Sequence, residues 1–257
     1  MVYKPLDGLN LTNDQIAKLS ARDWVLEHAA YIYKDHTNLV AKLDYPIENA
    51  PNKYVIKLFG WRNTLSKILS PVMRSRAKKS WDTAHFLLSN DIPTPAPLAV
   101  YTSRRYGFVR KNFYLCECIN DFNSARAVLR RLDTPEPEKA KLVKIIAKIV
   151  RRMHKANFVH NDLTLANFLV EKIQPDRVYL VDLNRGVHYC YLRNYRRIMD
   201  VAKMDLCSCD FTESHSGCYR DQFLRQYRDD YERDRRLLRM ALQRKGWKKR
   251  WKNRIRK

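Results

Sequence analysis

Asp162, Asn167 and Asp182 are the residues whose types and spacing could carry out phosphoryl transfer. Four residues separate Asp162 from Asn167, and Asp182 follows fifteen residues after Asn167. A carboxylate at the first position can take the proton of an attacking hydroxyl. An amide oxygen and a second carboxylate are hard ligands for a magnesium ion that holds phosphates. Taken singly, Asp and Asn are turn formers more often than catalysts, because they bond readily to nearby backbone. The order of all three among apolar stretches points to chemistry.

Such side chains need strands to hold them. Phe158-Val159 precedes the first aspartate and Phe168-Leu169-Val170 follows Asn167, which predicts two short strands around a polar loop. Pro175-Asp176 marks a turn, and Val178 to Val181 predicts a third strand delivering Asp182 to the same cleft. His160 is expected to order the loop backbone rather than react. Base, metal-binding amide and metal-binding carboxylate in this order are similar to those of protein-kinase-like enzymes.

Upstream, Val25 to Tyr33, Leu39 to Tyr45 and Tyr54 to Phe59 read as three strands, the first two joined by Lys34 to Asn38. Lys57, in Tyr-Val-Ile-Lys-Leu-Phe, stands where a kinase fold keeps the lysine that pairs with nucleotide phosphates. No glycine lies between Gly8 and Gly60, so Thr37, Asn38 and the hairpin amides are expected to cover the phosphates instead of a glycine-rich loop. No glutamate lies between Glu48 and Glu117 either. Asp82, in a helix expected over Pro71 to Ser89, is the one carboxylate there to partner the lysine. Arg74, Arg76, Lys78 and Lys79 at that helix start oppose its dipole, which favours contact with an anion. After a proline-rich connector, Leu98 to Tyr101, Phe108 to Val109 and Phe113 to Ile119 resume strand character. Glu117 to Ile119 is the expected hinge, with backbone groups facing adenine.

Length and composition set outer bounds. The chain has 257 residues, 45% of them hydrophobic, and a net charge of +23, enough for a substantial core and calling for an anionic partner surface. It has no run of about 18 apolar residues and no visible leader at Met1, so a soluble protein inside the cell is expected. The six cysteines are then expected as reduced thiols. Cys116 and Cys118 fit packing positions or neighbours of the nucleotide pocket. Cys207, Cys209, His215 and Cys218 form the one cluster with metal-like spacing, compressed for zinc.

Arg74-Ser-Arg-Ala-Lys-Lys-Ser-Trp, the Ile92-Pro-Thr-Pro-Ala-Pro-Leu connector, His160-Asn-Asp-Leu with Asn167-Phe-Leu-Val, and Val181-Asp-Leu-Asn-Arg together resemble the bacterial lipopolysaccharide kinase family, over roughly residues 24 to 205. The resemblance implies an α+β, two-lobed protein-kinase-like fold with a small antiparallel-sheet N-lobe and a mainly helical C-lobe. It further implies ATP-dependent phosphorylation of a heptose or Kdo hydroxyl in the lipopolysaccharide inner core, at the cytoplasmic face of the inner membrane. Position by position, Asp162 would be the base, Asn167 and Asp182 the Mg2+ ligands, and Lys57 the phosphate-binding lysine, with Thr37, Asn38, Glu117 and Ile119 around the nucleotide. The expected divisions are residues 1–117, 118–234 and a basic tail 235–257. Two alternatives stay open: a kinase of the same fold acting on a protein or small-molecule acceptor, and a non-catalytic binding protein that keeps the fold.

Asp133-Thr134-Pro135-Glu136 predicts a helix start with a capping threonine, and Leu142, Ile145, Ile146, Ile149 and Met153 predict its buried face. Arg185, Arg193, Arg196 and Arg197 lie where an acceptor should approach, as candidate ligands for phosphate or carboxylate, or as ordinary surface arginines. Beyond Asp234 come twelve Lys or Arg and no acid, interleaved with Leu237, Leu238, Met240, Ala241, Leu242, Trp247, Trp251 and Ile255. That pattern predicts an interfacial helix on an anionic membrane surface, which the resemblance implies is that of the inner membrane. Nucleic acid, which would leave the same footprint, is not the expected partner.

Overall fold

The structure, a computed structural model, describes residues 2–5, 9–61, 71–206, 218–227 and 230–255, with side chains described as far as Arg244. The chain folds as two compact units: Met1–Ser89 with Thr94–Asn120, and Asn90–Pro93 with Asp121–Lys257.

The first unit is mixed α/β, built on an antiparallel sheet. Its strands are β1 (Val2–Pro5), β2 (Ala29–Asp35), β3 (Asn38–Leu43), β4 (Tyr54–Phe59), β5 (Pro97–Arg105) and β6 (Phe108–Glu117), in the order β1-β5-β6-β4-β3-β2. Alternation sets the register. Leu39, Ala41 and Leu43 of β3, Tyr54, Ile56 and Leu58 of β4, and Phe113 and Leu115 of β6 point to one side and form a core. Leu19 of α1 (Asn13–Leu19) and Val25 of α2 (Arg22–Glu27) join that core. On β4, β5 and β6 also packs α3 (Arg76–Leu88), burying Ala77, Trp81, Ala84 and Leu87. With β5 covered on both faces, Pro97 to Thr102 are all buried.

Two expectations here need correction, and one strand was not expected. The strand expected from Val25 begins only at Ala29, since Val25 to Glu27 belong to a helix that starts at Arg22; a short apolar run such as Trp24-Val25-Leu26 suits either state, and Asp23 favours a helix start. The helix expected from Pro71 begins at Arg76, because Ser75 caps it by accepting from the Lys78 amide at 3.1 Å. β1, too short to stand out in the sequence, pairs with the edge of β5.

The second unit is organised around α5 (Glu136–Lys155), whose Leu142, Val143, Ile146, Ala147, Val150 and Met153 are buried. Pro135, not Thr134, is its N-cap, since the fixed φ of proline suits a helix start. Ile145 is only half-buried, and Val143, Ala147 and Val150 complete the inner face instead. Around it lie β7 (Phe122–Ser124), α4 (Ala125–Arg130), β8 (Phe158–Val159), β9 (Phe168–Glu171), β10 (Val178–Leu180), β11 (Val187–His188), α6 (Asn194–Val201), α7 (Tyr219–Tyr227) and α8 (Tyr231–Ile255). The strands form β10-β9-β7 and β11-β8 sheets. At Gly186 an added Cβ would lie 2.1 Å from the Phe158 ring, so only glycine lets the chain enter β11 across that buried side chain.

The C-terminal segment also departs from expectation. Leu238 and Ala241 are buried, and α8 packs on α6 and α7, so the first part of the expected interfacial face is spent on the core of this unit. Trp247, Trp251 and Ile255 lie outside the described side chains, as Cys207, Cys209 and His215 lie outside the described residues. No helix among the described residues is long and apolar enough to cross a membrane.

Candidate active site

β8, β9 and β10 carry the polar loop between them. Phe168 faces Leu180 in the antiparallel β9–β10 pair, so the next residues outward, Asn167 and Val181, also meet: the Val181 amide donates to the Asn167 carbonyl at 2.9 Å. Asp182 is therefore delivered directly beside Asn167. The Asn167 amide nitrogen in turn donates to the Asp162 carbonyl at 2.7 Å. Three residues spread over the chain are thereby tied into one loop system.

Asp182 has a left-handed backbone, φ 62° and ψ 51°, and Asn161 is also left-handed at φ 64°. Asn and Asp enter this region more readily than other non-glycine residues, and bonds from their surroundings hold both of these there. Here Asn184 donates to Asp182 Oδ1 at 2.8 Å, and the Asn161 side chain donates to the Arg185 carbonyl at 3.1 Å. Arg185 itself forms an ion pair with Asp162 at 3.0 Å. It is thus engaged with the expected base.

His160 is fully buried. Its Nδ1 accepts from the Asp162 amide at 3.3 Å and its Nε2 donates to the Val181 carbonyl at 3.0 Å. One nitrogen accepting and one donating means a neutral imidazole, in the backbone-ordering position expected of it. Burial pushes its pKa below the ordinary value, against the pull of Asp200, the Val181 carbonyl, Asp182 and Asp162. A lowered folded pKa means the unfolded chain binds the extra proton first. Its contribution to stability is full above about pH 6.5 and fades as pH falls toward the folded value. Urea midpoints measured from neutral pH downward should show this loss, and a His160→Gln variant should show a flatter profile over the same interval.

Sequence reasoning missed the anchor of the loop. Asp200, in α6 and wholly buried, accepts from the His160 amide at 2.8 Å and the Asn161 amide at 2.9 Å. Lys203 Nζ lies 3.2 Å from its Oδ1 and donates to the Asn161 carbonyl at 2.8 Å, while His154 Nε2 lies 3.5 Å from its Oδ2. Burial alone would raise the Asp200 pKa, but the His154 and Lys203 partners outweigh it and hold the carboxyl below its ordinary value. The available signal was an aspartate flanked by Ile198 and Val201 on the buried face of a short helix.

The other predicted residues belong to the first unit. Lys57 is half-buried on the face opposite Ile56, across from Val40 and Tyr114, with its ammonium 5.3 Å from the Phe59 ring centroid. Burial drives the nearby Cys116 thiol up to about 12, with Lys57 opposing the rise. Thr37 and Asn38 form the β2–β3 hairpin. The Thr37 carbonyl accepts from the Gly60 amide at 2.9 Å, where a Cβ would lie 2.1 Å from it, and Asn38 Oδ1 accepts from Arg76 at 3.3 Å. Strand pairing thus groups Thr37, Asn38 and Lys57. Glu117 ends β6, its amide committed to the Ala96 carbonyl at 2.9 Å, and the Ile119 side chain is buried. Asp82 is held by Lys78 one turn earlier and by Arg74 at 3.7 Å, so the basic start of α3 has an acidic partner on its own helix.

The model of the lipopolysaccharide kinase (Kdo/WaaP) family matches residues 60–227. The chain belongs to this family. It is therefore a kinase of lipopolysaccharide biosynthesis, and the matched stretch contains Asp162, Asn167, Asp182 and Asp200. Lys57, Thr37 and Asn38 precede it. A solved structure described as WaaP in complex with acyl carrier protein is similar over 96% of this chain and 99% of that chain, with a TM-score of 0.66 and 18% identity. At that identity the likeness is one of fold. No curated protein sequence matches the chain.

Proposed function

We propose that this kinase uses ATP and Mg2+ to phosphorylate a hydroxyl of an inner-core sugar of lipopolysaccharide, a heptose or Kdo, on a two-lobed protein-kinase-like fold. The observation that carries the reading is the bonding of Asn167 to the backbone of both Asp162 and Val181, which gathers an acid, an amide and a second acid on one loop system. Asp162 takes the proton of the acceptor hydroxyl, while Arg185 on its Oδ2 fixes the carboxylate orientation. With its nitrogen turned to the Asp162 carbonyl, Asn167 presents its amide oxygen the other way. That oxygen and the Asp182 carboxylate are the hard donors that Mg2+ takes. The ion, when bound, supplies charge neutralisation for the phosphates. Lys57 pairs with those phosphates, Thr37 and Asn38 cover them, and backbone from Glu117 to Ile119 meets the adenine.

Incubation of the purified chain with γ-labelled ATP, a magnesium salt and dephosphorylated core glycan should place label on a core sugar, dependent on the metal. Label found only on protein or on a small metabolite would replace the acceptor. No transfer to any acceptor would overturn the reading. The working location is the cytoplasmic face of the inner membrane, attached through the basic C-terminal segment, where each Lys or Arg near an anionic bilayer contributes about 1 kcal/mol. Cosedimentation with anionic vesicles should therefore disappear at high salt; persistence there would count against an electrostatic attachment.

A further inference from the structure

Within the second unit, against the Asp162 loop, lies a cavity of about 450 Å³ that no step above uses. Its size is that of a small-molecule site, with room for part of a glycan chain. Arg193, Arg196 and Lys203 line it, and Asp200 is the one acid among its lining residues. The Asp200 carboxylate is wholly buried and already bonded to two backbone amides and Lys203. The first turn of α6 has no acidic residue, so nothing there offsets the arginines. A concave surface with this excess of cations attracts an anion.

The cations are also shaped for one. Arg196 donates to the Tyr189 hydroxyl at 2.8 Å, and its Cζ lies 4.7 Å from the Tyr189 ring centroid, which pre-organises the guanidinium fork. Arg193 is exposed, and its side chain makes no hydrogen bond or ion pair within the described residues, its backbone carbonyl alone being engaged by the Arg196 and Arg197 amides. A planar guanidinium matches the paired oxygens of a carboxylate or phosphate. Tyr195, also in the lining, is steadied from outside by Arg244, which donates to its hydroxyl at 3.4 Å. With Tyr189 it offers apolar ring faces and polar tips, a surface suited to a pyranose. Asn161 lies in the wall and precedes Asp162 directly.

We propose that this cavity binds an oxyanion substituent of the acceptor glycan, a carboxylate or a phosphate, and so selects an acidic acceptor; this rests on the reading of Asp162 as the base. Calorimetry without nucleotide tests it with two probe pairs: a Kdo glycoside against its carboxyl-reduced alcohol, and a heptose monophosphate against the unphosphorylated heptose. At least one acid should bind about tenfold tighter than its neutral partner, as expected of charge-assisted pairing in a partly enclosed site. Which pair shows the preference identifies the source of the oxyanion. Arg193→Gln and Arg196→Gln should each bring the ratio toward one, and Arg193→Lys should keep part of it. Folding of each variant is checked by circular dichroism, and exposed Arg193 gives the decisive substitution. Equal binding within both pairs, an unchanged ratio in Arg193→Gln, or no binding of either acid at millimolar concentration overturns the proposal. Because no ATP is present, these outcomes concern the cavity alone. Absence of phosphate transfer by the intact chain would instead overturn the kinase reading and leave the binding result standing.

Discussion

Replacing Asp162 with asparagine is expected to lower phosphate-transfer turnover by a factor on the order of 10²–10⁴, the usual contribution of a positioned general base. Asparagine keeps the size of the side chain and can still accept a bond from Arg185, but it cannot hold a proton taken from an alcohol. The fold should survive, because the ion pair with Arg185 is partly exposed and such pairs contribute roughly 0–1 kcal/mol. Steady-state turnover measured beside a urea titration separates the two effects. Turnover close to that of the parent chain would remove the base assignment.

Replacing Asp200 with alanine should act chiefly on stability. The side chain is wholly inaccessible and collects the His160 and Asn161 amides, with Lys203 and His154 close by. Its removal leaves buried donors without acceptors, and breaking a buried charged cluster from one side costs about 3–5 kcal/mol. The expected result is a large fall in urea midpoint, with Asp200→Asn intermediate because its amide carries one acceptor oxygen where the carboxylate has two. A midpoint within experimental error of the parent would show that the loop is held by its own turns. The effect on turnover should follow the disorder of residues 160 and 161, which precede the proposed base.

Local pattern made some of this legible from the sequence. Tyr54 to Phe59 could be read end to end because Tyr54, Ile56 and Leu58 alternate with residues on the other face, and the structure has β4 over the same span. The strands around the polar loop were readable for a similar reason, each being short, apolar and bounded by turn residues. What escaped depends on partners distant in the chain. Asp200 meets amides some forty residues earlier, and no periodicity records such a bond. The α2 segment misled because three apolar residues fit a helix turn as well as a strand, and the core that receives Val25 decides between them. Leu238 and Ala241 misled in another way. Their spacing announced an apolar stripe, which gives no indication of whether lipid or protein covers it. For Arg185 the sequence leaves a choice between a ligand for an acceptor oxyanion and an ordinary surface arginine, and the structure pairs it with Asp162 of the chain itself, a proximity set by the turn after Asp182.

The helix α8 carries a mechanical consequence. Its first turns are seated in the second unit through Leu238 and Ala241, and the helix continues without interruption to Ile255, a further length of roughly 16 Å beyond Arg244 at helical rise. A cationic stretch rooted in this way behaves as a stiff arm and not as a leash: wherever its far end is held, the unit carrying Asp162 has its heading fixed relative to that surface. Shortening the arm by whole turns would change the standoff in increments of about 5 Å, whereas cutting back past Ala241 would open the protein interior.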